Sequence, residues 1–101
     1  MDLIKWTIYE VTTESTPIMG VMFRGRVRKF ALQDGINLLI ENASDKENCV
    51  RFAVMQGRDP DPVRQFIASH VTDASIEKVV EVVVNPVLSK LKVNKEERYE
   101  I

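Results

Sequence analysis

Residues 16–24, with the sequence TPIMGVMFR, lie between an alternating, strand-like stretch and a basic, amphipathic stretch. This pattern predicts a loop that leads directly into a helix. The first N–H groups of a helix have no partner within it, and the helix dipole is positive at that end. Consecutive backbone N–H groups at this point therefore form an anion cradle. Arg24 beside the cradle can donate two parallel hydrogen bonds to phosphate oxygens.

Periodicity on either side of the loop predicts the first strand and the first helix. Residues 3–11 alternate, with Ile4, Trp6 and Ile8 on one face, which is typical of a strand that is buried on one side. From about Phe23 the apolar residues recur at helical spacing, and the glycine at position 35 is expected to end the helix.

The rest of the chain predicts three more strands and a second helix. Residues 36–41 and 50–55 alternate and are joined by a polar turn, so we expect a hairpin. Asp61 can cap a helix and is followed by proline, and helical spacing continues to about residue 71. The last strand, over 76–84, is expected to place these residues on one face: Ile76, Val80, Val82 and Val84. This order predicts an α+β, ferredoxin-like βαββαβ sandwich, with an antiparallel sheet and two helices on one face.

Two motifs in this chain resemble the signature of the acylphosphatase family. Residues 20–24, GVMFR, match the G-V-x-F-R core of that signature, and residues 35–42 are similar to its second half, a glycine and a strand that ends in asparagine. Asp45 stands where the family has its turn, although the turn is longer here. The resemblance implies an acylphosphatase-like domain over residues 1–84. It also implies that the C-terminal extension, 85–101, could add a fifth edge strand.

The resemblance implies a hydrolase that cleaves the carboxyl-phosphate bond of acyl phosphates to a carboxylate and inorganic phosphate. Asn42 would orient the attacking water. Positioning and charge stabilisation account for most of phosphoryl-transfer catalysis, so no metal, cofactor or protein nucleophile is required. The phosphate would be bound by the Arg24 side chain and by the anion cradle, which consists of the backbone N–H groups of Ile18, Met19, Gly20 and Val21.

The chain departs from the family pattern inside the loop. The family usually has glycine at the position of Thr16, a basic residue at Pro17 and glutamine at Met19. Pro17 has no N–H to donate, and Thr16 is conformationally less permissive than glycine. These changes weaken the expectation of catalysis more than the expectation of fold. They support a second hypothesis, a non-catalytic ferredoxin-like module that binds an anion or interacts with another protein.

Length and composition narrow the classes of function that the chain could have. A chain of 101 residues is long enough for one domain, and its net charge of -1 gives no field that attracts nucleic acid or an anionic membrane. An RNA-binding sheet needs exposed aromatic residues, and the third predicted strand has only Phe52, on its core face. Cys49 is the one cysteine, and His70 has no second ligand at metal-binding spacing. The sequence therefore predicts a cytoplasmic monomer that binds an acyl phosphate or phosphate, and neither nucleic acid nor membrane.

Overall fold

The computed structural model describes residues 4–14, 16–18, 21–43 and 46–84. Predictions made for Met19, Gly20, Asp45 and a fifth strand in residues 85–101 lie outside these described residues. The described chain forms four strands and two helices in this order: β1 (Lys5–Thr12), α1 (Val21–Gln33), β2 (Leu38–Asn42), β3 (Cys49–Met55), α2 (Asp61–His70) and β4 (Ser75–Val84).

The four strands form one antiparallel sheet in the order β2-β3-β1-β4. The predicted α+β class, antiparallel sheet and pair of helices are confirmed, and this architecture is compatible with a ferredoxin-like sandwich. Neither of the two described helices is long and apolar enough to cross a membrane.

Local signals set the helix ends. α1 ends just before Gly35, as predicted, where glycine adopts a φ of 66° and the N–H of Ile36 donates to the carbonyl of Ala31 at 2.8 Å. α2 begins at the predicted position, but the capping role predicted for Asp61 is wrong. The Asp61 N–H donates to the carboxylate of Asp59 at 3.0 Å. Asp59, which lies outside the helix, therefore accepts one of the N–H groups of the first turn that have no partner within the helix.

Hydrophobic clusters lie on both faces of the sheet. The main core joins both helices to the face that carries Tyr9 and Val11, and the Tyr9 and Phe52 rings stack there at 5.2 Å. The predicted face of β1, with Ile4, Trp6 and Ile8, instead belongs to a second cluster with Leu39 and Ala53. The prediction that β1 is buried on one side only is therefore wrong, because six consecutive residues of the strand are buried.

The last strand does not keep the predicted alternation. Ile76 lies opposite Val11 on the helix-facing side, whereas Val80 lies opposite Ile8 on the other side. The register irregularity between Ile8 and Tyr9 separates these pairs, and a second irregularity, between Trp6 and Ile8, lies beyond them. An extra residue in one strand exchanges the faces of all residues beyond it. The predicted common face of Ile76 and Val80 is therefore wrong.

A charged cluster around the buried Glu10 lies on the sheet face away from the helices. The Glu10 side chain is 9% exposed, and its oxygens accept hydrogen bonds from Lys46 Nζ at 2.7 Å and Arg51 Nε at 3.0 Å. The hydrogen bond from Lys46 lowers the pKa of Glu10, burial opposes this effect, and the bond from Arg51 lowers the pKa further. The folded state therefore favours the ionised carboxylate.

This cluster makes stability dependent on pH. The folded pKa of Glu10 lies below the unfolded value of about 4.5, so its stabilisation is present above that pH and is lost as pH falls through the folded pKa. We expect Glu10→Gln to reduce the free energy of unfolding at pH 7 by about 1–3 kcal/mol, and the difference from wild type to shrink below pH 4.5. Urea unfolding at pH 7 and at steps down to pH 3 measures both effects.

Glu81 provides the matched control for this prediction. It pairs with Lys78 at 2.6 Å, but both side chains are more than half exposed, so Glu81→Gln should change stability little. A stability difference between Glu10→Gln and wild type that did not change with pH would contradict the role given to the Glu10 charge.

Candidate functional site

The loop after β1 lies between two other turns at one end of the sheet. Thr12, the last residue of β1, pairs with Cys49 at the start of β3 and with Ser75 at the start of β4. The turn that precedes β3 and the turn that precedes β4 therefore flank the loop. Side chains from both turns fix its conformation.

Asn48, in the turn before β3, makes the most contacts to this loop. Its Oδ1 accepts the N–H of Ile18 at 2.8 Å, and its Nδ2 donates to the carbonyl of Thr16 at 2.9 Å and to the hydroxyl of Thr13. Asn48 itself has a φ of 46°, in the left-handed region that asparagine tolerates better than most residues. One side chain therefore holds both ends of the segment from Thr13 to Ile18.

The turn before β4 holds the same loop from the other side. Asp73 accepts a hydrogen bond from the Thr16 hydroxyl at 2.7 Å and one from the Thr16 N–H at 3.3 Å. By the family pattern, Thr16 is a conformationally less permissive replacement for glycine. Its hydroxyl instead gives the loop an anchor that glycine could not provide.

Arg24 lies in the first turn of α1, on the side of the helix that faces the sheet. Val27 and Ala31 are completely buried and follow Arg24 at positions i+3 and i+7, so the three share one face. The Nε atom of Arg24 is buried and has no hydrogen-bond partner within the described part of the chain. Leaving a buried donor unsatisfied costs about 1–3 kcal/mol, more for a charged group, so the described residues alone do not stabilise this position.

Asn42 carries a buried hydrogen-bond acceptor, its Oδ1 atom. It is the last residue of β2 and has the parity of Leu38 and Ile40, which pack in the helix-facing core. It also pairs with Val50 at the end of the sheet that carries the loop. Its Oδ1 atom is buried and accepts no hydrogen bond from any described residue.

Arg24 and Asn42 therefore lie at the same end of the sheet, Arg24 in the first turn of α1 and Asn42 at the end of β2. Their atoms Nε and Oδ1 are the two buried side-chain polar atoms without a partner among residues 4–14, 16–18, 21–43 and 46–84. One is a donor and the other an acceptor. A ligand that accepts from the first and donates to the second, such as a phosphate with a water molecule beside it, would satisfy both.

The predicted anion cradle is altered at its first residue. The N–H of Ile18 points to Asn48, so the prediction that it is available to a phosphate is wrong in this structure. α1 begins at Val21, as the cradle requires, and its first turn contains no acidic residue that would offset the positive end of the helix dipole. The donors that remain for an anion are the backbone groups at the start of the helix and Arg24.

Sequence reasoning identified Arg24 and Asn42 but missed Asn48 and Asp73. Both act over long sequence separations, since Asn48 lies 30 residues from Ile18 and Asp73 lies 57 from Thr16. A weak signal was present, because both are Asx residues in predicted turns, where such side chains commonly bond to backbone. In the described ranges, no group of three His, Cys, Asp or Glu side chains is arranged to hold a metal ion.

Comparison of the chain with known protein families, with curated proteins and with solved structures found no match.

Proposed function

We propose that this protein is an acylphosphatase-like hydrolase, which cleaves the carboxyl-phosphate bond of an acyl phosphate. The observation that carries the proposal is the pair of buried atoms Arg24 Nε, in the first turn of α1, and Asn42 Oδ1, at the end of β2, which have no hydrogen-bond partner among the described residues. A guanidinium next to unpartnered helix N–H groups suits a phosphoryl group. An acceptor at the same end of the sheet suits a water molecule.

The reaction follows from these two positions. Arg24 and the backbone N–H groups at the start of α1 donate to the phosphoryl oxygens and stabilise the charge that builds up on them. Asn42 Oδ1 accepts a hydrogen bond from the attacking water and orients its oxygen toward phosphorus. The new bond between the water oxygen and phosphorus forms as the bond between phosphorus and the acyl oxygen breaks. The carboxylate leaves with the electron pair, and inorganic phosphate keeps both protons of the water.

The proposal includes the finer description of the fold as ferredoxin-like βαββαβ. The element order and the strand order β2-β3-β1-β4 support it. The resemblance of residues 20–24 and 35–42 to the acylphosphatase signature supports the activity on the same chain.

A second candidate function is a non-catalytic module that binds an anion. Two observations favour it: Pro17 has no N–H, and the Ile18 N–H donates to Asn48. The cradle thus presents fewer donors than the sequence predicted. A site of this kind could hold phosphate without accelerating its transfer.

Hydrolysis of benzoyl phosphate by the wild-type protein tests the proposal, in the presence of chelator and without added metal. We expect saturable release of inorganic phosphate above the uncatalysed blank, together with a rise in Tm when phosphate is added. A rise in Tm without turnover would establish the anion-binding module instead. If the protein shows no turnover and phosphate does not raise its Tm, both functions are contradicted.

A further inference from the structure

A groove of about 240 Å³ lies between the first half of α1 and the C-terminal half of α2. Five of the residues that line it are apolar: Pro17, Met22, Phe23, Phe66 and Val71. Phe23 and Phe66 pack against the main core, so the fold itself sets the shape of the groove. Sites for small molecules usually measure roughly 300–1,000 Å³, so this smaller groove suits a single apolar side chain better.

The loop side of the groove offers few hydrogen bonds to a ligand. Pro17 has no N–H, and Thr16 donates both its hydroxyl and its N–H to Asp73. The Thr16 carbonyl already accepts a hydrogen bond from Asn48. An apolar group therefore fits this side better than a polar one.

An exposed basic stripe of α1 runs beside the groove. Its members follow one another at positions i, i+4, i+7 and i+11, so they share one face of the helix, and all of them are exposed: Met22, Arg26, Lys29 and Gln33. Met22 and Arg26 also line the groove. Neither Arg26 nor Lys29 makes an ion pair with another described residue.

The charge of the basic stripe is not offset by neighbouring acidic residues. α1 contains no Asp or Glu, and no acidic residue is among the described residues that line the groove. Asp34 follows the far end of the stripe, and Asp61 lies at the start of α2, whereas the C-terminal half of α2 lines the groove. The groove and its rim therefore combine an apolar cavity with a local positive charge.

We propose that the groove and the basic stripe form a docking surface for an acidic peptide segment of another protein. One apolar side chain of the segment, such as leucine or methionine, fills the groove, and carboxylates beside it pair with Arg26 and Lys29. A nucleic acid would match the two cations but not the apolar groove, and the net charge of -1 gives no long-range attraction to a polyanion. The inference does not depend on the hydrolysis of acyl phosphates.

Selection of peptides from a random display library on the 101-residue protein tests the proposal. We expect the enriched sequences to combine an apolar residue with neighbouring Asp or Glu residues. Fluorescence anisotropy then measures the affinity of an enriched peptide for each variant. Arg26→Gln and Lys29→Gln should each weaken binding about two- to fivefold, because exposed ion pairs are individually weak, and added salt should weaken binding as well. Arg64→Gln, which removes an exposed arginine of α2 outside the groove, should leave the affinity close to that of wild type.

A second pair of variants tests the groove itself. Met22 and Leu32 are 70% and 54% exposed on the same helix, so replacing either with serine should leave the protein folded, but only Met22 lines the groove. Met22→Ser should weaken the peptide severalfold, and Leu32→Ser should not. Replacing the apolar residue of the peptide with serine should weaken binding about tenfold or more, since its burial is lost.

Two kinds of result would overturn the proposal. One is a selection that enriches no acidic peptides, or binding that Arg64→Gln and Leu32→Ser weaken as much as Arg26→Gln and Met22→Ser. The other is tighter binding of an RNA oligonucleotide, or of phosphatidylserine-containing vesicles, than of the selected peptides, which would assign the basic stripe to that partner instead. None of these measurements involves hydrolysis, so their failure would leave the proposed function standing.

Discussion

Arg24→Ala is expected to lower kcat/KM for benzoyl phosphate by about two orders of magnitude or more, because it removes the side-chain cation that binds the transferring phosphoryl group in the proposed mechanism. The same change should remove most of the rise in Tm that phosphate produces. The protein without ligand should lose little stability, since the substitution also removes a buried donor that has no partner among the described residues and a cation at the positive end of α1. Steady-state kinetics and thermal unfolding with and without phosphate measure these effects.

Two variants sharpen the test of Arg24. Arg24→Lys keeps the charge but not the planar fork, so its activity should lie between those of wild type and Arg24→Ala. Arg28→Ala removes a half-buried arginine from the same helix and should leave the kinetics close to wild type. A folded Arg24→Ala protein with kcat/KM within threefold of wild type would show that Arg24 does not bind the phosphoryl group.

Asn42→Ala should lower kcat by about 10²-fold, because in the proposed mechanism Asn42 orients the water and not the phosphate. Stabilisation by inorganic phosphate should therefore remain close to that of wild type, in contrast to Arg24→Ala. Initial rates at saturating benzoyl phosphate and Tm shifts with phosphate separate the two roles.

Asn37, which precedes β2 at its other end, supplies the control for Asn42. Its Nδ2 contacts Met55 Sδ at 3.4 Å, far along the strand from the site, and Asn37→Ala should leave kcat unchanged. If Asn42→Ala lost phosphate stabilisation and activity together, Asn42 would be part of the phosphate site and the assignment of the water would be wrong.

The local parts of this fold follow from sequence, and the long-range parts do not. Alternation and helical spacing are properties of neighbouring residues, so they predict α1, the glycine that ends it and the hairpin of β2 and β3. The β1–β4 register depends on where an extra residue is accommodated between two strands more than 60 positions apart in the chain. Nothing in the local sequence pattern of β4 specifies the position of this extra residue.

The candidate site shows the same division. Arg24 and Asn42 are predicted by the resemblance of residues 20–24 and 35–42 to the acylphosphatase signature, and parity places Asn42 on the face of Leu38 and Ile40. The hydrogen bonds from Asn48 and Asp73 to the loop arise only when three turns meet at one end of the sheet. The resulting loss of the Ile18 donor could not be inferred from residues 16–24 alone.

The hydrogen bonds of Asn48 also bear on the entropy of ligand binding. A loop that is ordered only by its ligand loses conformational freedom at each backbone residue when the ligand binds, at about 1–2 kcal/mol per residue. Here Asn48 fixes Thr13, Thr16 and Ile18 before any ligand arrives. Much of that entropy is lost during folding, so under the proposed function the protein gives up one backbone donor to the anion and binds it with Thr13, Thr16 and Ile18 already fixed.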